Sequence, residues 1–364
     1  MIEQRAPGKL YIAGEYAVVD PGQPAVIVAV DRYITVQLTE GSQVGRVRSS
    51  AYGRSPLVWV RDDANDRIVL EHQPYDYVFA AITAVEQLRS ELSLPPRYYD
   101  LDISSELDDV SGRKFGLGSS AAVTVAVVAA LDEFYSLGLS RVDRFKLALL
   151  ATIEVAPTAS GGDLAASTFG GWIRYASPDR GALRTHRAAH GVSAALAASQ
   201  QWAGSGVTRL DHPDAVQLLV GWTGSPASTE RLVEQVRTSD SRTPVQPYAT
   251  FIEDSSALVD ALVDAFGRGG AGAPEVIGRA RRVLQRLSAS SGITIETPQL
   301  QALCDIAERH GAAGKPSGAG GGDCGIVLAD ADLATDPILR EWEANDIRRL
   351  SLAPHPASGG VDAF

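Results

Sequence analysis

A glycine- and serine-rich segment directly precedes the most apolar stretch of the chain. The segment GLGSSA occupies residues 116–121, and the apolar stretch over 121–131 predicts a buried helix. A helix N-terminus presents free backbone N–H groups and a partial positive charge, and glycines let a phosphate approach the backbone closely. Serine hydroxyls can bind phosphate or a divalent cation, and Lys114 adds positive charge just upstream. These residues predict a loop that binds phosphate groups.

Two other interpretations of this segment compete with a phosphate-binding loop. It could be a glycine-rich turn that only caps a core helix. It also fits the G-x-G-x-x-A pattern of dinucleotide-binding proteins, which requires a buried strand immediately before the glycines. The preceding residues 108–115, DDVSGRKF, are polar, so that context is missing. The Walker A pattern GxxxxGK[ST] does not occur in the sequence.

Three further segments place charged side chains beside glycines. Residues 315–323, KPSGAGGGD, lead into an apolar strand, and successive glycines can line an anion with backbone N–H groups; a flexible linker is the alternative. Residues 160–163, SGGD, make Asp163 a candidate base or metal partner, or simply a turn or helix cap. Lys9 begins a predicted strand and could hold phosphate, with the residues Gly14-Glu15-Tyr16 following it.

Lysine is rare in this chain, and its positions coincide with the glycine-rich segments. Only four of the 33 lysine and arginine residues are lysines, namely Lys9, Lys114, Lys146 and Lys315. A lysine is a flexible point charge, whereas an arginine is a planar fork suited to fixed geometry. All but Lys146 lie in or beside the glycine-rich segments, so we expect those three to hold phosphate; chance is the alternative explanation.

The composition excludes several other classes of function. The chain of 364 residues carries a formal net charge of −11, and nucleic-acid-binding proteins are more often basic. Cys304 and Cys324 form no CxxC pair, so no zinc site is predicted, and they fit a reducing cytoplasm. We find no apolar stretch of about 18 residues and no signal peptide, so we expect a cytoplasmic protein that does not span a membrane. None of the six histidines forms a catalytic triad or a metal-binding pattern.

The predicted elements alternate without a regular strand–helix rhythm, which favours an α+β fold over a doubly wound sheet. Strands are predicted through 9–38 around a type II turn at 20–23, and a helix over 75–92. Residues 178–214 are predicted to be irregular. A strand at 216–223 opens the second half, with a further strand near 347–352 and helices near 228–238, 248–266, 274–289, 298–310 and 335–345. We expect two domains, 1–212 and 213–364.

Four of these segments together resemble the GHMP family of small-molecule kinases. In chain order they are APGKLYIAGEYAVVDPG, KFGLGSSAAV, SGGDLAAS and KPSGAGGGDCGI, and they span residue 6 to about residue 328. The resemblance implies the GHMP kinase fold, with an N-terminal ATP-binding α+β domain of ribosomal-protein-like topology and a ferredoxin-like C-terminal domain. It also implies an active site between the two domains.

Within this family, the segment GKLYIAGEYAVV followed by PGQPA is most similar to members that phosphorylate 5-phosphomevalonate. Members that act on mevalonate tend to carry a histidine where this chain has Tyr16. The implied activity is ATP-dependent phosphorylation of (R)-5-phosphomevalonate to (R)-5-diphosphomevalonate in isoprenoid synthesis. A kinase acting on mevalonate or on another small molecule, and a non-catalytic nucleotide sensor of the same fold, are the alternatives.

The resemblance also implies roles for individual residues. Lys9 and Asp163 match the catalytic lysine and aspartate, and Ser120 matches the hydroxyl that binds Mg²⁺. Residues matching ATP-binding positions are Lys114, Gly116, Leu117, Gly118, Ser119 and Ser120. Residues matching positions for the phosphorylated substrate are Lys9, Tyr16, Lys114, Ser160, Ser317, Gly318, Ala319 and Gly320. The implied cofactors are ATP and Mg²⁺, and the implied binding partner is a small-molecule substrate. The protein itself is expected to be a monomer or a homodimer.

The acidic metal ligand departs from the family's pattern. Members that act on mevalonate carry a Mg²⁺-binding glutamate upstream of the aspartate, and Thr152 stands at that spacing here. Glu154 is the nearest acid and is therefore the candidate second ligand.

The role of Asp163 depends on the acceptor, because a phosphate monoester has a second pKa of about 6 and is mostly dianionic at neutral pH. We therefore expect Asp163 to orient Lys9 and the metal ion rather than to remove a proton.

Overall fold

The structure of the chain is a computed structural model. It describes residues 1–53, 55–62, 64, 67–70, 76–109, 111–224, 232, 235 and 248–359. Two β-sheets with associated helices make up these ranges. No helix within them combines the length and the apolar character that crossing a membrane requires.

The first sheet has eight strands arranged around the long strand β2. The strands are β1 (Ile2–Ala13), β2 (Pro24–Glu40), β3 (Gly45–Ser49), β4 (Leu57–Arg61), β5 (Ile68–Leu70), β6 (Tyr99–Ser105), β7 (Trp172–Ala176) and β8 (Gly206–Leu210). Their order is β5-β4-β3-β6-β2-β7-β8, with β1 paired to β2. Strands β3 and β6 are parallel, and the other pairs are antiparallel. The register places Lys9 of β1 opposite Ala29 of β2.

The connection between β1 and β2 differs from the prediction. The sequence predicted strand structure as far as the turn at 20–23, but β1 ends at Ala13 and Ala17–Val19 form a short 3-10 helix. Gly14 has a φ of +92°, and a Cβ atom there would collide with the start of β2. Because glycine tolerates both the left-handed backbone and the close approach, the chain leaves the sheet at this point.

Four helices form a layer on the first sheet. They are α1 (Tyr77–Glu91), α2 (Ser119–Tyr135), α3 (Arg141–Val155) and α4 (Gly162–Phe169). Helices α2 and α4 pack against β1 and β2, and α1 and α3 pack against α2. The predicted helix over 75–92 is confirmed as α1, which Asp76 caps by accepting the Phe79 N–H at 3.0 Å. The buried helix predicted after the GLGSSA segment is confirmed as α2.

The region 178–214 contains two helices and a strand, so the prediction that it is irregular is wrong. The elements are α5 (Arg180–His190), α6 (Val192–Ala197) and β8. Asp179 caps α5 by accepting the Ala182 N–H at 2.9 Å. Leu183 is the buried apolar residue of this otherwise polar helix. With so few apolar residues, α5 carries little periodic signal in its sequence.

The second sheet carries the C-terminal half of the chain. Its antiparallel strands are β9 (Val216–Trp222), β10 (Ala313–Pro316), β11 (Cys324–Asp330) and β12 (Arg348–Arg349), in the order β10-β11-β9-β12. Its helices are α7 (Tyr248–Gly267), α8 (Ala273–Ser291), α9 (Pro298–Arg309) and α10 (Asp336–Ala344). These helices confirm the last four predicted from the sequence, whereas the strand predicted over 347–352 is only two residues long. The helix predicted over 228–238 falls on residues that, apart from 232 and 235, lie outside those described.

The two halves are packed together rather than joined only by a linker. The chain passes from the first sheet to the second between Leu210 and Val216, around the expected domain boundary at 212–213. The end of the described chain returns to the first sheet, where the His355 N–H donates to the Ala29 carbonyl at 2.8 Å. Buried apolar residues from both halves form one continuous core. The packing between the two halves therefore fixes the positions of the residues that each half contributes to a site between them.

Candidate active site

Helix α2 begins at a glycine in the left-handed conformation, which leaves the end of the helix open. Gly116 and Gly118 have φ values of +80° and +81°. The Gly118 carbonyl accepts the N–H of Ala122 at 3.0 Å, so the N–H groups of Ser119 and Ser120 precede the first intrahelical bond. The predicted phosphate-binding segment therefore has the geometry of an anion site at a helix N-terminus.

Lys9 lies against this loop from the neighbouring strand β1. Its main-chain N–H donates to the Leu117 carbonyl at 2.9 Å, and its ammonium donates to the Gly116 carbonyl at 3.2 Å. The residue is only 8% exposed, and its ammonium lies 5.5 Å from the centre of the Tyr11 ring. An ammonium has three N–H donors. Since the Gly116 carbonyl takes one of them, the others can serve an anion in the cleft.

The SGGD segment forms the start of helix α4. The Ser160 hydroxyl lies 3.0 Å from the Tyr11 hydroxyl, and the Tyr175 hydroxyl donates to the Ser160 carbonyl at 2.7 Å. Asp163 stands in the first turn of α4, where a helix N-terminus favours negative charge, and accepts the Leu164 N–H at 3.0 Å. Burial, together with the nearby Asp163 charge, raises the pKa of Tyr11 well above its usual value. Tyr11 therefore stays protonated and can donate a hydrogen bond.

Lys9 and Asp163 line the same cleft without forming an ion pair. Across the part of the chain that the structure describes, no nitrogen–oxygen distance of 4.0 Å or less joins these two side chains. The Lys9 ammonium engages the Gly116 carbonyl, and the Asp163 carboxylate engages the N–H of Leu164. The direct orientation of Lys9 by Asp163 that we expected is absent from this conformation. Each charge is thus left to act on a bound ligand.

The C-terminal glycine loop, between β10 and β11, meets the end of β1. The Tyr16 hydroxyl donates to the Ala319 carbonyl at 2.5 Å, and the Ser317 hydroxyl donates to the Tyr11 carbonyl at 2.9 Å. Burial raises the pKa of Tyr16, and the neighbouring Glu15 charge adds to the effect. The Tyr16 hydroxyl is therefore a stable donor, and these two bonds attach the glycine loop to the first sheet.

Lys315 does not face the cleft, so the expectation that it holds phosphate is wrong. Lys315 is 0% exposed, and its ammonium pairs with the carboxylate of Glu15 and donates to the Pro316 carbonyl at 2.7 Å. Glu15 is 4% exposed and lines the cleft. Burying an ammonium is tolerable only with such a partner. Lys315 therefore positions Glu15 and does not reach a ligand itself.

These elements enclose a cleft of about 490 Å³ that receives residues from both halves of the chain. Of the residues expected at the site, those that line it are Lys9, Tyr16, Lys114, Gly116, Gly118, Ser119, Ser120, Ser160, Asp163, Gly318 and Ala319. Three others, Leu117, Ser317 and Gly320, are not among the residues that line the cleft. Leu117 and Ser317 support it through their bonds to β1, and Gly320 packs against Ile295.

Glu154 is absent from the cleft, which corrects its expected role as a second metal ligand. It lies on α3, and its carboxylate is 3.5 Å from the guanidinium of Arg187 on α5. Thr152, which stands at the spacing of the family's glutamate, is buried and does not line the cleft either. An acidic metal ligand, if the protein supplies one, must come from another part of the chain.

Several residues that were not predicted also line the cleft. They are Tyr11, Glu15, Val18, Val19, Tyr77, Thr158, Ala159 and Asp323. Tyr11 follows Lys9 by two positions on β1, so strand alternation could have placed both on one face. Asp323 was visible as a carboxylate at the end of the glycine run. Val18, Val19 and Tyr77 reach the cleft only through the fold and carry no local signal.

The donor set of the cleft fits a hard divalent cation. The hydroxyls of Ser119 and Ser120 and the carboxylates of Asp163 and Asp323 are oxygen donors, which Mg²⁺ prefers. Within the described ranges, no group of three or more His, Cys, Asp or Glu side chains could hold a metal ion alone. Mg²⁺ is usually held by one or two carboxylates together with substrate phosphates. The cleft therefore suits a metal–nucleotide complex rather than a metal site made of protein alone.

Comparisons with known proteins agree with this geometry. Residues 76–171 match the model of the GHMP kinases N terminal domain, and residues 262–346 match that of GHMP kinases C terminal. The chain is 44% identical to a phosphomevalonate kinase of Streptomyces sp. (strain CL190), over 97% of each chain. It is similar to the crystal structure of a Lin0012 protein from Listeria innocua, with 33% identity, a TM-score of 0.87 and coverage of 100% and 99%. It is also similar to Streptococcus pneumoniae phosphomevalonate kinase in complex with phosphomevalonate and AMPPNP, with 28% identity, a TM-score of 0.84 and coverage of 97% and 100%.

Proposed function

The chain belongs to the GHMP kinase family, and on that premise we propose that it transfers the γ-phosphoryl group of ATP to (R)-5-phosphomevalonate. The products are ADP and (R)-5-diphosphomevalonate, and the reaction is a step of the mevalonate pathway of isoprenoid synthesis. The relative of 44% identity is named a phosphomevalonate kinase, and a similar solved structure holds phosphomevalonate and AMPPNP. Both support this acceptor and ATP as the donor.

One observation carries the proposal, namely that a single cleft unites the start of α2, Lys9, Asp163 and the C-terminal glycine loop. Two polyanions, a nucleoside triphosphate and a phosphorylated acid, must meet there in a protein with a net charge of −11. Backbone N–H groups and cations gathered at one place offset that repulsion. Phosphoryl transfer is catalysed mainly by positioning and charge stabilisation, which such a cleft provides.

We assign the triphosphate to the loop before α2 and the acceptor to the side formed by Ser160 and Ala319. Ser119 and Ser120 offer hydroxyls and N–H groups, and the exposed Lys114 stands at the edge of the cleft. Lys9 lies between the phosphate loop and the Tyr11–Ser160 pair. From that position its remaining N–H groups can neutralise the transferred group as it moves between donor and acceptor.

Asp163 need not act as a base in this reaction. The acceptor phosphate is mostly dianionic at neutral pH, because its second pKa is about 6. Asp163 would instead help to hold the metal–nucleotide complex together with Ser120. A bound Mg²⁺ supplies neutralisation of phosphate charge and polarisation of the transferred group. The positions of Asp163 and Ser120 would thus determine where the γ-phosphate of ATP meets the acceptor phosphate.

We also propose that the enzyme works in the cytoplasm as a monomer or homodimer. Cys304 and Cys324 are free and buried, which fits a reducing compartment. Light scattering of the purified protein over a range of concentrations distinguishes monomer from dimer.

The proposed function is tested by measuring ADP release with a panel of acceptors. The panel contains phosphomevalonate, mevalonate, diphosphomevalonate, galactose and homoserine, each with ATP and Mg²⁺. We expect turnover with phosphomevalonate to exceed that with every other acceptor by at least 100-fold in kcat/KM. Turnover on mevalonate but not on phosphomevalonate would identify an alcohol kinase and reject the proposal. Nucleotide binding without turnover on any acceptor would favour the non-catalytic sensor.

A further inference from the structure

The Tyr11 hydroxyl occupies a space that a glycine leaves open. Tyr11 follows Lys9 by two positions on β1, so both side chains lie on the same face of the strand. A Cβ atom built at Gly162 would lie 2.5 Å from the Tyr11 hydroxyl, so this hydroxyl packs on the bare Cα of the second glycine of the SGGD segment. The absence of a side chain at 162 therefore lets the phenol end beside Ser160.

The surroundings of Tyr11 determine which of the two neighbouring hydroxyls donates. The Tyr11 and Ser160 hydroxyls are 3.0 Å apart, and the geometry allows either to be the donor. Within the described ranges, Ser160 Oγ is the one hydrogen-bonding partner of the Tyr11 hydroxyl. Tyr11 is only 8% exposed, and a buried O–H group without an acceptor is destabilising. Tyr11 is therefore the donor and Ser160 Oγ the acceptor.

Ser160 is left with one hydrogen to donate. A serine hydroxyl has two acceptor lone pairs and one O–H donor. Ser160 Oγ accepts the Tyr11 O–H and also the Gly162 N–H at 3.3 Å, so both lone pairs are in use. The main chain of Ser160 is fixed separately, because the Tyr175 hydroxyl donates to its carbonyl at 2.7 Å. Since Ser160 lines the cleft, its remaining O–H group is available to a ligand there.

The ligand atom that suits this O–H group is an oxygen with negative charge and no proton. The Lys9 ammonium, which also carries donors only, lies 5.5 Å from the centre of the Tyr11 ring and lines the same cleft. Hydrogen bonds from such donors are strongest to ionised oxygens. In the proposed reaction, phosphomevalonate supplies oxygens of this kind through its phosphate group.

We propose that Tyr11 is a positioning residue for phosphomevalonate. By donating to Ser160 Oγ, it directs the Ser160 O–H group towards an anionic oxygen of the substrate phosphate. Tyr11 itself does not contact the substrate, and its effect passes through Ser160. The proposal rests on the proposed function for the identity of the substrate, whereas the direction of the Tyr11–Ser160 hydrogen bond is a property of the free protein.

The first test is a double-mutant cycle read by equilibrium binding. Calorimetry measures the affinities for phosphomevalonate and for AMPPNP, each alone, in the wild type, Tyr11→Phe, Ser160→Ala and the double variant. Tyr33→Phe is the matched control, because the Tyr33 hydroxyl lies 3.0 Å from Nδ1 of His355 and Tyr33 does not line the cleft. Unfolding in urea verifies that each variant is folded.

We expect phosphomevalonate to bind three- to tenfold more weakly to Tyr11→Phe and at least tenfold more weakly to Ser160→Ala. The double variant should bind it no more weakly than Ser160→Ala alone, because the two residues act as one unit. AMPPNP binding should be unchanged throughout, as should both affinities in Tyr33→Phe.

Three results of this cycle would overturn the proposal. Additive losses in the double variant would show that Tyr11 contacts the substrate directly. Equal losses of phosphomevalonate and AMPPNP binding in Tyr11→Phe would indicate a general structural role. Unchanged phosphomevalonate binding in Tyr11→Phe would show that the hydroxyl has no effect on this ligand.

Neutron diffraction from deuterated crystals of the free protein tests the direction of the hydrogen bond without any substrate. We expect the deuterium between the two oxygens to be bonded to Tyr11, with the Ser160 deuterium directed into the cleft. A Ser160 deuterium directed at the Tyr11 oxygen would overturn the proposal. If the wild type bound no phosphomevalonate, the proposed function would fail, and the neutron map would still decide which hydroxyl donates.

Discussion

Lys315 and Glu15 form a buried ion pair that joins the second sheet to the end of the first strand. The two residues are 300 positions apart in the sequence. Lys315 is 0% exposed, whereas Glu15 lines the cleft. Residues next to the pair in the sequence form two further hydrogen bonds, Tyr16 to Ala319 and Ser317 to Tyr11. Several contacts therefore attach the glycine loop to β1. Lys315 thus acts on the site through Glu15.

Replacing Lys315 with methionine should mainly destabilise the fold. The substitution leaves the Glu15 carboxylate buried without its partner, and breaking a buried pair costs about 3–5 kcal/mol. Unfolding in urea, followed by circular dichroism, measures the loss. Adding Glu15→Gln should restore part of it, since the uncompensated charge is then removed.

The control for this prediction is Lys146→Met. The Lys146 ammonium lies outside the cleft, 5.2 Å from the centre of the Trp202 ring, and donates to the Leu196 carbonyl at 3.4 Å. No buried carboxylate is left unpaired when it is removed, so its loss should cost less than that of Lys315, about 1–2 kcal/mol. If Lys315→Met kept full stability and only raised the KM of a substrate, Lys315 would be a ligand-binding residue. That result would contradict its buried position.

Gly118→Ala should weaken nucleotide binding. The new Cβ would lie 2.9 Å from the Lys9 Cε, and the φ of +81° at this position disfavours any side chain. The Lys9 side chain must therefore shift away from the phosphate loop. We expect ATP affinity, measured by calorimetry, to fall at least tenfold.

Gly138→Ala is the matched control for the backbone strain. Gly138 has a φ of +69° with open space around its Cβ position. Both variants should lose about 1 kcal/mol of stability from the left-handed backbone. Only Gly118→Ala should lose ATP affinity. If both variants bound ATP equally well, the assignment of residues 116–120 as the phosphate-binding loop would be wrong.

Lys114→Ala should raise the KM for a phosphorylated ligand with little change in stability. Lys114 is exposed at the edge of the cleft, so its charge is free to contact phosphate. The loss of a charge-assisted hydrogen bond corresponds to about 1–3 kcal/mol. Steady-state kinetics with ATP and phosphomevalonate varied in turn identifies which ligand it contacts. KM values equal to those of wild type for both ligands would exclude Lys114 from the site.

Asp163→Asn should lower kcat by a similar factor at every pH. The acceptor phosphate loses its second proton with a pKa of about 6, so the acidic limb of the pH profile belongs to the substrate. That limb should therefore remain when Asp163 can no longer titrate. Disappearance of the acidic limb from kcat at saturating substrates would show that Asp163 is a general base. It would also favour an alcohol as the acceptor.

The parts of the fold that local sequence determines were predictable. Helix α2 and its glycine start follow from an apolar run and two glycines, which act within a few residues of each other. Helix α5 was missed because its side chains are mostly polar and its burial depends on one leucine. The 3-10 helix after β1 depends on the approach of Gly14 to the start of β2, a contact that local sequence does not reveal.

The site residues were predictable only where a short sequence motif itself forms part of the cleft. Lys9 and Lys315 both stand beside glycines, yet one faces the cleft and the other is buried against Glu15. That difference is decided by packing between residues 300 positions apart. Glu154 was nearest in sequence to the expected metal ligand, but α3 turns it towards Arg187. Asp323 reaches the phosphate loop because the second sheet brings it there.

The most direct test of the proposed reaction is phosphorus NMR of the product. The purified enzyme is incubated with ATP, Mg²⁺ and phosphomevalonate, with mevalonate in a parallel sample. We expect the phosphomonoester signal of phosphomevalonate to be replaced by two mutually coupled diphosphate signals as ADP accumulates, and no new organic phosphate from mevalonate. A new phosphomonoester from mevalonate, with phosphomevalonate left unchanged, would contradict the assignment of a phosphate as the acceptor.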